Sequence, residues 1–297
     1  MDSTRIKRSL FILNPHAGVI PVKLILSEEL RRRKNQLSYF RSLSIDESGS
    51  LIKQSFDNYD VFVAAGGDGT VRSVASQIIG TEKVLGVLPM GSGNGFAKEL
   101  GFKPNIRSLI KDIKKSERVD VDVLKINDMI CLNVAGIGLD SFVAHSFDKL
   151  KTRGLWSYVW VALINFIKLR PVHVNIEIPG EEPISEDLFV LTIANTRQFG
   201  NNAFIAPEAK PNDGIIDIVI VKPFPKIIVP VFAYRLFRGT LKKSRYVKYL
   251  KTDKPVAIRT NEIRFHIDGE PVEISGDVTV HIRRNALSVL KTKHSKL

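Results

Sequence analysis

Two rhythms of apolar and polar positions alternate along the first third of the chain. SLFILN (9–14) is an apolar run of strand length, and in VKLILSEELRRR after it Val22, Ile25, Leu26 and Leu30 fall at helical spacing. DVFVAAGG (60–67) is a second buried-strand pattern. Beyond it Val71, Val74, Ala75, Ile78 and Ile79 recur at i, i+3, i+4, i+7 and i+8, one face of an amphipathic helix. VLGVLP (84–89) repeats the strand, GSGNG the loop, and FAKELG predicts a short helix stopped by Gly101. Strands alternating with helices predict an α/β domain built on a parallel sheet. Ligands of such sheets gather beyond the carboxyl ends of the strands. The loops that open at Asn14, Gly66 and Gly91 are therefore expected to share one rim.

From about residue 120 the pattern turns β-rich. RVDVDVLKI, MICLNVAGIG, HVNIEI, DLFVLTIAN, IIDIVIV, VEIS and VTVHI all read as strands, and in IRFHID residues Ile263, Phe265 and Ile267 alternate. Helical exceptions are expected at 141–169 and 226–250. This half predicts a mostly antiparallel sheet or sandwich. The expected division is an α/β domain at 1–125 and a mostly β sandwich domain at 126–285, with the break near 122–130 and the tail 286–297 able to return to the first domain. No internal repeat of solenoid length is visible.

Composition narrows the partners and the compartment. The single cysteine, Cys131, excludes a disulfide framework and a cysteine-based zinc cluster, and fits a reducing compartment. SLFILNP is too short for the apolar core of a signal peptide, so none is expected. LWSYVWVALINFI (155–167) is too short and too polar to span a bilayer and predicts a buried helix. These features together predict a cytoplasmic protein. The formal net charge is +13, from 44 Lys and Arg against 31 Asp and Glu. A positive field favours nucleotides, nucleic acids and acidic lipid surfaces without choosing among them.

The chemistry concentrates in AAGGDGTVRSVA (64–75). Glycine lets backbone approach a ligand closely, and the amides at a helix N-terminus point outward with partial positive charge. Together they form an anion site. Gly66-Gly67-Asp68-Gly69-Thr70 and Gly91-Ser92-Gly93-Asn94-Gly95 are both placed for this. Asp68 would repel a phosphate unless a divalent cation bridges them, the usual way Mg²⁺ is held. The plainer alternative is that Asp68 caps its helix. The Walker A loop, the GxGxxG fingerprint, the HRD and DFG motifs of protein kinases and HExxH are all missing from the sequence.

Six stretches in order, GGDGT and five that accompany it, carry a resemblance. FILNPHAG (11–18), GGDGT (66–70), VLPMGSGNGFAKELG (87–101), CLNVAGIGLDSFV (131–143) and IAPEAKPNDGIIDIVIV (205–221) are followed by HIDGEPV (266–272). GGDGT resembles the signature shared by lipid kinases of the diacylglycerol kinase type, NAD kinases and, more remotely, phosphofructokinases. The stretches that accompany it resemble the catalytic domain of the soluble bacterial lipid kinases of the diacylglycerol, sphingosine and YegS-like group.

The resemblance implies an α/β domain carrying GGDGT, a β-sandwich domain carrying DGE, and ATP between them. It assigns Asn14, Gly66, Gly67, Gly69, Thr70, Gly91, Ser92 and Asn94 to the nucleotide, and Asp68 to a catalytic Mg²⁺. Asp122 matches the acidic position of a charge network, with Asp120 a close rival. Lys210, Asp213 and Ile215 match the holders of a structural Mg²⁺, two through backbone carbonyls and Asp213 through its side chain. Glu270 matches the proposed base toward a lipid hydroxyl. Asp268-Gly269 is equally a hairpin signal, which would leave Glu270 an ordinary turn charge. Gly95 stands where many diacylglycerol kinases of this type carry an aspartate, so the lipid's identity stays open. An NAD kinase-like phosphotransferase and a non-catalytic lipid-binding homologue are the alternatives.

A lipid substrate implies docking at a membrane. Residues 226–251 interleave Phe232, Tyr234, Phe237, Tyr246 and Tyr249 with Lys242, Lys243, Arg245, Lys248 and Lys251, a composition suited to an anionic bilayer surface. It suits equally a helix packed on the β domain. No nucleic-acid module is recognisable, so nucleic acid is not an expected partner. A homodimer is left open.

Overall fold

A computed structural model describes residues 8–14, 38–41, 45–91, 93–138 and 170–295. The expected helix at 22–30, Ser92, the segment 139–169 with its apolar run, and both chain ends lie outside the described residues. The chain divides into two units. One comprises the chain up to Val121 together with Asn285 onward, and the other Asp122–Arg284.

The described elements of the first unit are β1 (Ser9–Leu13), β2 (Ser38–Arg41), α1 (Ile45–Ser55), β3 (Val61–Gly66), α2 (Asp68–Ile78), β4 (Val84–Pro89), α3 (Gly95–Glu99) and α4 (Ile106–Lys115). The strands pair in parallel in the order β2-β1-β3-β4. Every residue of β3 and β4 is buried, which explains why both read as unbroken apolar runs. α2 buries Val71, Val74, Ala75 and Ile78, the stripe visible in the sequence. α4 starts at Asn105, whose side chain accepts from the Arg107 and Ser108 amides, and buries Ile106, Leu109, Ile110 and Ile113. Strand β2 and helix α1 carry no periodic signature strong enough to be read beforehand.

The remaining strands are β5 (Arg118–Ile126), β6 (Met129–Cys131), β7 (Val134–Gly138), β8 (Val172–Glu177), β9 (Ile184–Leu188), β10 (Val190–Ala194), β11 (Ile216–Val221), β12 (Val247–Thr252), β13 (Val256–Thr260), β14 (Arg264–Ile267), β15 (Glu270–Glu273) and β16 (Val278–Leu290). The last strand serves both units. Ser288 and Val289 pair in parallel with Val84 and Leu85 of β4, whereas Val278 and Val280 pair antiparallel with Ile258 and Val256.

In the second unit, six strands form an antiparallel sheet in the order β12-β11-β10-β7-β14-β15. Ile137, Leu191, Ile193, Ile218, Ile220, Phe265 and Ile267 from this sheet share one core with Val174, Ile176, Val256, Ile258, Val278 and Val280 from β8, β13 and β16. This is a sandwich. The other face of the six-stranded sheet is covered by Ile205, Ala206, Ala209 and Leu241, against which Phe232 and Leu236 of helix α5 (Val229–Arg238) pack. With both faces covered, β11 is buried at every position.

Two expectations are corrected. The stretch 226–250 is not helical throughout. Gly239, at φ 65°, ends α5, and VKYLKT joins β11 as β12. Its alternation is real: Val247 and Tyr249 pack on the outer cluster, Leu250 on the sandwich core. Ile263 does not extend the buried series of Phe265 and Ile267. It precedes β14 and is exposed.

Candidate active site

Backbone pairing brings the three early loops together. Asn14 donates its amide to the Ala65 carbonyl at 3.1 Å, and Met90 donates to that of Gly66 at 2.8 Å. The chain leaves β1, β3 and β4 side by side, at the carboxyl edge of the parallel sheet. Side chains then lock the loops. The Asn14 Nδ2 donates to Thr70 Oγ1 at 3.0 Å. Thr70 lies directly over Gly66, where any Cβ would collide with it. A Cβ on Gly91 would stand 2.7 Å from the Gly67 Cα, so two glycine backbones pass at a separation that side chains forbid.

Asp68 is the first residue of α2, and Gly67 occupies the cap position without a side-chain bond. The capping alternative therefore fails for its own helix. The Asp68 Oδ2 instead accepts the Gly95 amide at 3.3 Å, at the start of α3. Asn94 sits in the left-handed region at φ 52°. Its Oδ1 accepts the Gly91 amide at 2.9 Å and its Nδ2 donates to the Gly91 carbonyl at 2.6 Å, closing the second loop on itself. Lys98, on the same short helix, was not singled out from sequence. Burial pushes its ammonium below the usual lysine range, with the Asp68 carboxylate opposing.

The structure thus gathers Asn14, Gly66, Gly67, Asp68, Thr70, Gly91 and Asn94, with Gly69 in the first turn of α2. Backbone amides at the start of α2, beside two glycines, Gly66 and Gly91, that leave no room for a side chain, suit an anion. A carboxylate within the cradle suits a hard cation shared with that anion.

In the second unit a buried polar network joins the remaining motifs. Asp122 is fully buried, and its Oδ2 accepts the Gly214 amide at 2.7 Å. Its own amide donates to the Pro211 carbonyl at 2.6 Å. The Asn195 side chain donates to the carbonyls of Asp122 and Leu132, each at 2.9 Å. Asp122 therefore anchors the turn that carries Lys210, Asp213 and Ile215. Asp120, by contrast, is exposed and takes the Ser288 hydroxyl. Asp213 Oδ1 accepts the Ile215 amide at 3.1 Å within that turn. Among the described residues no three His, Cys, Asp or Glu side chains converge as a metal site. A cation at 210–215 would rely on carbonyl oxygens beside Asp213, a donor set that fits Mg²⁺.

The Asp268-Gly269 hairpin is present. Both residues have positive φ, 54° and 83°, and Ile267 pairs with Glu270 across the turn. Yet Asp268 is no solvated turn residue. Its carboxylate is buried and accepts the Leu132 amide at 3.1 Å, the Asn133 amide at 2.7 Å and the Cys131 thiol at 3.3 Å. Asn133 in turn donates to the Gln198 carbonyl at 3.0 Å and accepts the Thr196 hydroxyl. Glu270 follows the turn, half-buried, at the start of β15. Asn133, Asn195 and Asp268 were not assigned from sequence. Amide and acid side chains directly at the ends of apolar strands were the available signal.

Residues 8–126 match the family described as diacylglycerol kinase catalytic domain, and residues 133–291 the family described as YegS C-terminal NAD kinase beta sandwich-like domain. The chain is 27% identical over 275 residues to a diacylglycerol kinase of Bacillus subtilis (strain 168), spanning 89% of this chain and 90% of that one. It is 31% identical over 221 residues, 72% of each chain, to a Pseudomonas putida protein named "Probable lipid kinase YegS-like". Among solved structures it resembles a diacylglycerol kinase of Bacillus anthracis str. Sterne (TM-score 0.75, 20% identity, 98% of each chain). It also resembles an NAD kinase of Archaeoglobus fulgidus in complex with ATP (TM-score 0.54, 13% identity, 96% of this chain and 94% of that one).

Proposed function

This chain belongs to the diacylglycerol kinase family of lipid kinases, and on that premise we propose that it transfers the γ-phosphate of ATP to a hydroxyl of a membrane lipid such as diacylglycerol, a sphingoid base or a related alcohol. The observation that carries the reading is the coupling of the two glycine loops through Asp68 and Gly95. A single carboxylate is positioned from both sides within an anion cradle, an arrangement suited to a metal–nucleotide complex.

Phosphoryl transfer asks mainly for positioning and charge stabilisation. The amides of Gly67, Gly69 and Thr70 would hold the phosphates in line, with Asn14 bracing Thr70. Gly91, Ser92 and Asn94 would shape the second wall. Mg²⁺, held through Asp68, supplies neutralisation of phosphate charge when bound. Glu270 would accept the proton of the attacking hydroxyl, with Asp268 fixing the turn that presents it. Asp122 would keep the 210–215 turn in shape, where Lys210, Asp213 and Ile215 would hold a second, structural Mg²⁺.

Incubating the purified protein with γ-labelled ATP, Mg²⁺ and a total lipid extract tests the assignment. Label in an organic-phase product is expected. Label in NADP, when NAD is supplied, would replace it with the NAD kinase reading. No transfer to either acceptor would leave a lipid-binding homologue.

A further inference from the structure

Helix α5 is apolar on both sides, yet no residue of it is buried. One side rests on the β sandwich: Phe232 stacks on Phe224 at 5.3 Å between ring centres, and Leu236 packs beside it on the outer cluster. The other side carries Ile227, Val231 and Tyr234, which are 82%, 47% and 65% exposed. They are spaced four and three residues apart, so they form one stripe along the helix and the turn before it, and exposed Arg238 continues it by four. Five large apolar side chains are exposed among the described residues, and three of them stand in this stripe. A solvated helix face would be polar here.

Charge identifies what meets the stripe. Residues 218–252 contain nine Lys and Arg and no Asp or Glu. Lys222, Lys242 and Lys251 are ion-paired with Glu186, Glu208 and Asp217 from neighbouring elements. Lys226 and Arg238 flank the two ends of the stripe, with exposed Lys243 and Arg245 beyond it. A second copy of this chain meeting it face to face would bring like charges together. An anionic bilayer offers both complements, an apolar interior for Ile227, Val231 and Tyr234 and negative headgroups for the flanking cations.

We propose that the exposed stripe Ile227–Val231–Tyr234, flanked by Lys226 and Arg238, is the face by which this protein docks on an anionic lipid bilayer. The assignment deepens the lipid-kinase reading by naming where the enzyme meets its substrate's membrane, and its test reads binding without turnover. That separates its failure from a failure of the kinase assignment.

The experiment is sedimentation of the full chain with phosphatidylglycerol–phosphatidylcholine vesicles and with pure phosphatidylcholine vesicles, without ATP. Wild type should partition onto the anionic vesicles, and added salt should weaken it. The triple variant Ile227→Ser, Val231→Ser, Tyr234→Ser should lose at least about tenfold in partition, with an unchanged melting temperature because all three side chains are exposed. The charge variant Lys226→Glu, Arg238→Glu should lose binding to anionic vesicles only. Undiminished binding by both folded variants overturns the proposal, as does a wild type that ignores anionic vesicles. Variants that lose binding to a single-stranded oligonucleotide but not to vesicles assign the face to nucleic acid. Variants that turn a wild-type dimer into a monomer assign it to self-association. Either result overturns the membrane assignment.

Discussion

The Asp68 carboxylate accepts a hydrogen bond from the Gly95 amide at 3.3 Å, across 27 residues of sequence, and so ties the first glycine loop to the second. Two roles, hydrogen-bond acceptor and negative charge, meet in that one group. Asp68→Asn retains an acceptor for Gly95 and removes the charge, whereas Asp68→Ala removes both. Both variants are expected to lower kcat for phosphate transfer at least about a hundredfold. If charge is what matters, the asparagine variant should be as inactive as the alanine one while melting closer to wild type. Steady-state kinetics beside thermal melts would decide it.

The close passage of Gly67 and Gly91 gives a stability prediction. A methyl group at position 91 would meet the backbone of Gly67, the residue directly after β3. Gly91→Ala should cost about 1–3 kcal/mol. At Gly93 the added carbon would lie 3.4 Å from the Asp68 Oδ2, an ordinary contact. Gly93→Ala should therefore stay within about 1 kcal/mol. Urea denaturation midpoints of the two variants, compared at equal slope, provide the check.

Glu270 and Asp268 should separate cleanly when mutated. Glu270→Gln is expected to reduce kcat by about a hundredfold or more, with nucleotide binding and melting temperature retained. Asp268→Ala strips the acceptor from two buried amides, Leu132 and Asn133, and should destabilise the second unit by about 2–4 kcal/mol. Asp268→Asn should be milder, since its oxygen can still accept and asparagine tolerates the left-handed conformation seen there. An Asp268→Ala protein as stable as wild type would contradict the network.

Asp217 supplies a pH dependence. Burial raises its carboxyl above the ordinary 3.8, opposed by the Lys251 ammonium at 2.9 Å and reinforced by the charges of Asp213 and Glu208. A raised carboxyl means the folded state keeps a proton that the unfolded chain has already lost. Its contribution to stability therefore falls as pH rises from the ordinary carboxylate range through the folded pKa, and stays lost above it. Asp217→Asn removes that dependence. The melting temperature of the variant, relative to wild type, should climb across this window. Lys251, half-exposed, can be solvated once its partner is gone. Melting curves taken from acid to neutral pH test the sign.

Much of this protein was legible from local pattern. The apolar runs at 61–66 and 84–89 are strands because burial on both faces leaves no polar position. The 71–78 stripe is a helix because its spacing matches one face, and the loops between them fall on one rim because parallel strands end together. Chain order of the motifs sufficed for the family. Periodicity failed at 247–252, where a basic, aromatic strand looked like a continuation of helix α5. It was also silent at 38–41, four residues and too short to show a period, and at 45–55, whose apolar content is low.

What the linear chain determined by itself was the kind of element at most positions and the residue types at each loop, because those depend on neighbours a few places away. What only the tertiary structure decided was which polar groups meet. Asp122 finds Gly214 across 92 residues, and Asp268 finds Asn133 across 135. Those partners are selected by the register of strands brought together from distant parts of the chain, and a buried carboxylate is tolerable only once such amides surround it.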